Sequence, residues 1–278
     1  MLLARWLAAV LALAVAFPHP VRGATQEPGP APPADAPPPA PALERPASSD
    51  GRRTTSRFLS NLGRNTVGMF SRDNLAPISI GGAAAGVGAF FDDDAQRYFG
   101  EERRAKWLGD FANQLGKPYV LTPIAGALFG LGRLSHDHPR FRNGTYDIAQ
   151  VFLINAVYTT AIKYPAHRLR PDRSNRLSFP SGHTSNAFAW ATVASHYYGP
   201  WFGVPAYAFA GLIGIGRMEK DAHYLSDVLG GAALGCLVGL TVVRRDAEPR
   251  TDGHARRWGL TPRAVPGGAA VEASLVFR

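Results

Sequence analysis

Between residues 76 and 243 the chain is divided into six apolar, Gly- and Ala-rich segments: Ala76–Phe91, Tyr119–Leu131, Tyr146–Lys163, Thr184–Tyr198, Trp201–Gly216 and Leu225–Val243. Each is about 13–19 residues long, a length that suits helices better than strands. No period of 20–50 residues repeats, which argues against a solenoid. In the last segment Gly231, Gly235 and Gly239 recur every four residues and leave one helix face flat for close contact with a neighbour. The triplet Leu225-Ser226-Asp227 supplies a helix start. The expected fold class is therefore all-α, a helical bundle. Pro262, Pro266 and Gly267-Gly268 precede a β-prone Val271–Phe277, so a short C-terminal β-hairpin is expected as well.

Upstream of the bundle the sequence changes character twice. Arg5 followed by the twelve-residue apolar run Trp6–Phe17, and Val21-Arg22-Gly23 before Ala24, reads as an export signal over residues 1–24. Twelve residues are short of the ~20 that span a bilayer, which favours a cleaved signal over an anchor. Thr25–Asp50 holds nine prolines and almost no large apolar residue, so residues 25–53 read as a disordered linker. The folded domain is placed at 54–250 and a C-terminal tail at 251–278. The single cysteine, Cys236, rules out an intramolecular disulfide and Cys-rich metal sites, and reads as a small buried hydrophobe. A formal charge of +9 favours anionic partners without choosing among nucleic acid, lipid and phosphorylated small molecules.

Three polar clusters interrupt the apolar segments. In the first, Lys163 to Arg176, five Lys and Arg residues stand against one acid, Asp172; Pro165 is expected to end a helix at Lys163, and Pro171 fixes the chain beyond Arg170. A guanidinium fork clasps two phosphoryl oxygens, and a lysine adds a compact charge. The second, Ser178-Phe179-Pro180-Ser181-Gly182-His183-Thr184-Ser185, enters an apolar segment and would present backbone N–H groups at a helix N-terminus. His183 there suits general acid work; a plain N-cap with an incidental histidine fits equally. In the third, Gly216 to Asp227, His223 and Asp227 are four apart and would share a helix face, the carboxylate fixing the imidazole tautomer. Such a pair alone is more often structural; Arg217 just upstream gives it meaning.

Together the clusters resemble the three-part signature of the type-2 phosphatidic acid phosphatase and vanadium haloperoxidase superfamily. Lys163 with Arg170-Pro171 matches the first part, Pro180-Ser181-Gly182-His183 the second, and Arg217, His223 and Asp227 the third. Gly216 departs from the family's usual serine, which would remove one hydrogen bond to phosphate and leave the charged groups intact. The resemblance implies a metal-independent phosphoric monoester hydrolase. His223 would be the nucleophile, oriented by Asp227, and His183 the acid and base. Lys163, Arg170 and Arg217, with Ser181 and the Gly182 amide, would hold the phosphoryl oxygens. It implies no metal and no cofactor, and expects vanadate to occupy the phosphate site. The implied substrates are phosphorylated lipids such as phosphatidic acid, or isoprenyl and lipid A-type phosphates. Alternatives are a vanadate-dependent haloperoxidase and a non-catalytic anion-binding membrane protein. Nucleic-acid binding is disfavoured because the basic residues cluster with histidines.

The remaining polar groups read as solvated: Asp92-Asp93-Asp94 as an acidic helix start, and His136-Asp137-His138 as a loop. Six apolar segments match the six spans of the family's membrane branch, yet they are short and mean hydropathy is −0.09. Were all six to cross after a cleaved signal, the 163–183 loop would face the cytoplasm, opposite to an outward-facing site. The conflict vanishes if one early segment does not cross or if the bundle is peripheral. Arg57–Phe70 could lie on a membrane surface. The expectation is a membrane-associated, extracytoplasmic (periplasmic) protein.

Overall fold

The computed structural model describes residues 53–101, 106–115, 118–246, 257–265 and 268–276. The expected leader, and the tether up to Arg52, lie outside the described residues. The chain divides into two units after Asp246. Among the described residues the elements of the first are all helices: α1 (Phe58–Gly68), α2 (Leu75–Ala89), α3 (Asp92–Gln96) running into a π-helical turn at Arg97–Glu101, α4 (Lys106–Leu115), α5 (Pro118–Leu134), α6 (Pro139–Ala166), α7 (Gly182–Tyr198), α8 (Pro200–Glu219) and α9 (Leu225–Asp246). The second carries an antiparallel hairpin of β1 (Arg257–Val265) and β2 (Gly268–Val276), paired from Arg257↔Val276 to Val265↔Gly268.

Helix α9 is the axis of the helical unit. Its apolar residues face inward on all sides, as a helix without a polar face must. Against α7 and α8 it packs Cys236 and Leu240 beside Phe188 and Tyr207. Against α6 and α7 it packs Leu234, Val238 and Val242 beside Val151, Ile154 and Val193. Leu225 and Val228 meet Phe99, Ile215 and Met218 at its start. Side chains of this size each stabilise the fold by roughly 1.5–3 kcal/mol when fully buried. The glycine stripe does what its spacing suggests. A Cβ would lie 2.5 Å from the Ser181 carbonyl oxygen at Gly231, 2.2 Å from that of Ser185 at Gly235 and 2.7 Å from Thr192 Cβ at Gly239. Bare backbone on α9 therefore meets the backbone of α7, and the start of α7 is pressed onto the start of α9.

One local expectation is corrected. Helix α6 runs past Pro165 to Ala166 and ends at His167 in the left-handed region (φ 43°). A proline in the final turn forfeits one backbone bond, and the helix needs only one more residue to finish. The stretch Arg57–Phe70 is a helix with its polar side inward: Asn61 and Asn65 are buried, whereas Leu59 and Phe70 are each 78% exposed. Asn61 donates to the Tyr146 hydroxyl (2.8 Å) and Asn65 to Asp246 (3.0 Å).

Candidate active site

All three sequence clusters meet at one end of the bundle, where α6 and α8 finish and α7 and α9 begin. Backbone hydrogen bonds tie the connecting loops together. Ser181 N–H donates to Asp227 O (2.9 Å), Asp172 N–H to Asp221 O (2.9 Å) and Ser178 N–H to Arg168 O (3.0 Å). Ser181 precedes α7 in an extended conformation (ψ 108°), so the first N–H groups of α7, beginning with Gly182, lack partners within the helix. The Ser181 hydroxyl is buried against Thr184 Oγ1 at 2.9 Å.

His223 does not share a helix face with Asp227, because α9 starts only at Leu225. The pair forms across the helix start instead. Asp227 Oδ2 accepts from Tyr224 N–H (2.9 Å) and from the Ser178 hydroxyl (2.5 Å). Its distance to His223 Nδ1 is 3.7 Å, longer than a hydrogen bond, and this leaves Nε2 as the nitrogen away from the carboxylate. Both residues are buried.

Lys163 donates to the carbonyl oxygens of Leu177 (2.6 Å) and Pro180 (2.7 Å), so its ammonium shapes the loop that leads into α7. Burial and the nearby charge of Arg170 lower its pKa to about 8. Arg217 is buried and falls to about 10 through burial and Arg170. Burial, then Arg217 and His223, bring His183 down to about 3; the Asn113 backbone opposes this, and Arg170 adds to it. Burial lowers His223 to about 4, with Arg217 and Lys163 adding to the fall and Asp227 opposing it. Arg170 thus acts on Lys163, Arg217 and His183, and Arg217 on Lys163, His183 and His223, which places these groups near one another. Among the described residues, Lys163, Arg170 and Arg217 have no carboxylate within ion-pair distance. His183 Nε2, Arg170 Nε and Arg217 Nε are buried without a protein partner. The two guanidinium groups among them leave charge that an anion could offset. Among the described residues no group of three His, Cys, Asp or Glu side chains is placed to hold a metal ion.

Residues 146–249 match the PAP2 superfamily model. Over that span, which holds all three clusters, the chain is similar to the PAP2 superfamily. All eight residues expected at the site lie in the matched span. Among similar proteins, the lipid A 1-phosphatase of Porphyromonas gingivalis is 50% identical over 161 residues, covering 56% of this chain and 35% of the relative. Phosphatidylglycerophosphatase B of Bacillus subtilis is 28% identical over 156 residues, covering 49% of this chain and 73% of the relative. The chain thus spans about a third of the length of the first of these relatives. The crystal structure of Aquifex aeolicus LpxE aligns over 55% of this chain and 95% of its own, with 23% identity and a TM-score of 0.47.

Sequence reasoning missed three residues near the site. Asp92, read as a solvated helix start, is only 5% exposed. It accepts from Ser226 N–H (2.8 Å), Ser226 Oγ (2.8 Å) and Arg168 (2.6 Å). Arg168 also reaches Asp227 Oδ1 at 2.7 Å and stacks over Tyr224, 4.3 Å from its ring centre. Asp92 and Arg168 thereby hold the side of Asp227 turned away from Tyr224. The third is Asn113 on α4, which accepts from Arg217 Nη1 at 2.6 Å. No spacing rule links Asp92 or Asn113 to the clusters fifty or more residues downstream, and Arg168 is one of several arginines in its loop.

Proposed function

We propose that this protein hydrolyses phosphomonoesters, lipid phosphates foremost, through a phosphohistidine on His223. The observation that carries this reading is the gathering of Lys163, Arg170 and Arg217, without carboxylate partners, near the buried imidazole of His223 and the half-buried one of His183. Preorganised cations are where most phosphoryl-transfer catalysis arises, because they oppose charge on the transferring group. With a pKa of about 4, His223 is neutral at pH 7 and its Nε2 lone pair is free to attack. Nε2 forms a bond to phosphorus as the ester P–O bond breaks, and the departing oxygen takes a proton from His183. A bound phosphoryl anion offsets the positive charge of Arg217 and Arg170, and so favours the protonated His183 this step requires. Water then gives a proton to His183 and attacks phosphorus, the P–N bond breaks, and orthophosphate leaves.

Two things support a lipid substrate and a membrane location. The named relatives are phosphatases of lipid A and of phosphatidylglycerophosphate. Around its apolar core the bundle also buries polar residues and exposes large apolar ones: Asn155 and Gln150 are buried, while Phe90 is 86% and Trp201 93% exposed. Exposed apolar area of this kind is characteristic of a lipid-facing surface. By length and hydropathy α9 is the single described helix that could cross a membrane, and a bent pair over Arg72–Ala89 and Asp92–Gly100 would make two; α9 is wholly buried in the bundle, as a core helix also is, so the exposed apolar residues carry the reading. The proposed location is extracytoplasmic and membrane-associated.

The test is phosphate release from phosphatidic acid, lipid A and soluble monoesters, with and without a chelator. Release that survives the chelator, with an acid-labile phosphoenzyme that disappears in His223→Ala, is expected. Wild-type turnover in His223→Ala would remove the mechanism. Peroxide-dependent halogenation after vanadate loading, without phosphate release, would put a haloperoxidase in its place.

A further inference from the structure

Helix α4 lies against the end of α8 with almost nothing between the backbones. A Cβ on Gly216 would stand 2.5 Å from Ala112 Cβ and 2.7 Å from the Leu108 carbonyl oxygen. One on Gly109 would stand 3.0 Å from Lys220 Cγ and 3.3 Å from the Gly216 carbonyl oxygen. Two glycines thus face each other across the contact, and Leu108 and Ala112 are buried in it. The rim is held by an ion pair between Lys220 and Asp110, and by Phe111 set edge-on to Phe209 at 6.1 Å. Seated this way, α4 delivers the residue after Ala112, Asn113, to the pocket. Its side-chain oxygen accepts from Arg217 Nη1 at 2.6 Å, and its backbone acts on His183. Gly216 stands where the family usually has serine, and a serine side chain there would collide with α4.

We infer that Asn113 is a positioning residue of the phosphate pocket, and that Gly216 is bare so that α4 can bring it there. An arginine has five N–H donors in a rigid fork. The Asn113 oxygen engages one of them and fixes the plane of the guanidinium, leaving the others for a phosphoryl group. A neutral amide achieves this without cancelling the charge, which a carboxylate in its place would do. The inference rests on the phosphate-pocket reading of the site and names a neighbour that the three-part signature does not contain.

The test compares the full chain with Asn113→Ala, Asn113→Asp and Gly216→Ser, reading kcat/KM on phosphatidic acid and inhibition by orthovanadate. Asn113→Ala is expected to lower kcat/KM and weaken vanadate inhibition about tenfold, the effect of losing one charge-assisted hydrogen bond. Asn113→Asp keeps the shape but pairs Arg217 with a carboxylate, and about a hundredfold weakening is expected. A purely structural Asn113 would change the amount of folded enzyme and leave the inhibition constant alone. Gly216→Ser should match Asn113→Ala, and the two together should add nothing further. Vanadate inhibition within about twofold of wild type in both Asn113 variants would overturn the inference, as would additive losses in the double variant. Should the wild type release no phosphate, the phosphatase reading falls by itself. Orthophosphate titrated calorimetrically into wild type and Asn113→Ala then decides: weaker binding supports Asn113, and equal binding overturns it.

Discussion

The same helices that make the pocket at one end of the bundle make an ionic staple at the other. There Arg53 meets both oxygens of Asp147 at 2.9 Å and donates to the Asp246 carbonyl at 2.8 Å. Tyr197 adds a hydrogen bond to Asp147 at 2.7 Å, and Arg64 and Asn65 take the two oxygens of Asp246. Arg53, Asp147 and Asp246 are as buried as His223, Arg217 and Asp227. Burial therefore does not separate the two ends; pairing does. At the staple each buried guanidinium faces a carboxylate, and the chain ties α6, α7 and α9 together. At the pocket the cations face neutral oxygens or nothing, a cost that the proposed phosphoryl group would offset.

Four experiments break or sharpen that contrast, beginning with the largest effect. Arg217→Ala should lower kcat/KM by about a thousandfold, the loss of a main donor to the transferring group. Its melting temperature should hold or rise, since a poorly paired buried charge is removed; a fall in stability would show that Arg217 belongs to a staple. Asp147→Ala should do the reverse. It strands Arg53 and should cost about 3–5 kcal/mol in denaturant unfolding, while the remaining folded enzyme keeps its vanadate affinity. Asp92→Ala lies between the two, releasing Arg168 and the Ser226 N–H, and a ten- to hundredfold fall in kcat is expected at nearly unchanged KM. If KM alone moved, Asp92 would not act through Asp227. The mildest is the pH profile of kcat/KM, which reports groups of the free enzyme. Below about pH 4, His223 gains a proton and loses its nucleophilic lone pair. Above about pH 8, Lys163 loses its charge and the grip on phosphate weakens. Replacing Lys163 by arginine should carry the alkaline limb upward; an unmoved limb would assign it elsewhere.

Much of this was legible in the order of residues. Six apolar segments foretold six of the nine described helices, and the stripe Gly231, Gly235, Gly239 foretold the tight seat of α7. The grouping of the three clusters was legible because a three-part pattern joins them at fixed spacings. What escaped was held by contacts rather than spacing. Helix α4 is short, with one narrow buried side, and its Asn113 matters only because Gly216, more than a hundred residues later, has no side chain. Asp92 looked like any acidic helix start until the fold put the first N–H groups of α9 in front of it. The staple was invisible for the same reason: Arg53 and Asp246 stand at opposite borders of the domain.

The glycine stripe on α9 has a consequence for how the pocket can adapt. Where main chain lies directly on main chain there is no swinging group to absorb a shift, so the floor beneath the phosphate moves as one piece or not at all. Accommodation of different alcohol groups must then be left to the walls, and relatives that differ in the ester they accept should differ around the rim while sharing an unchanged floor.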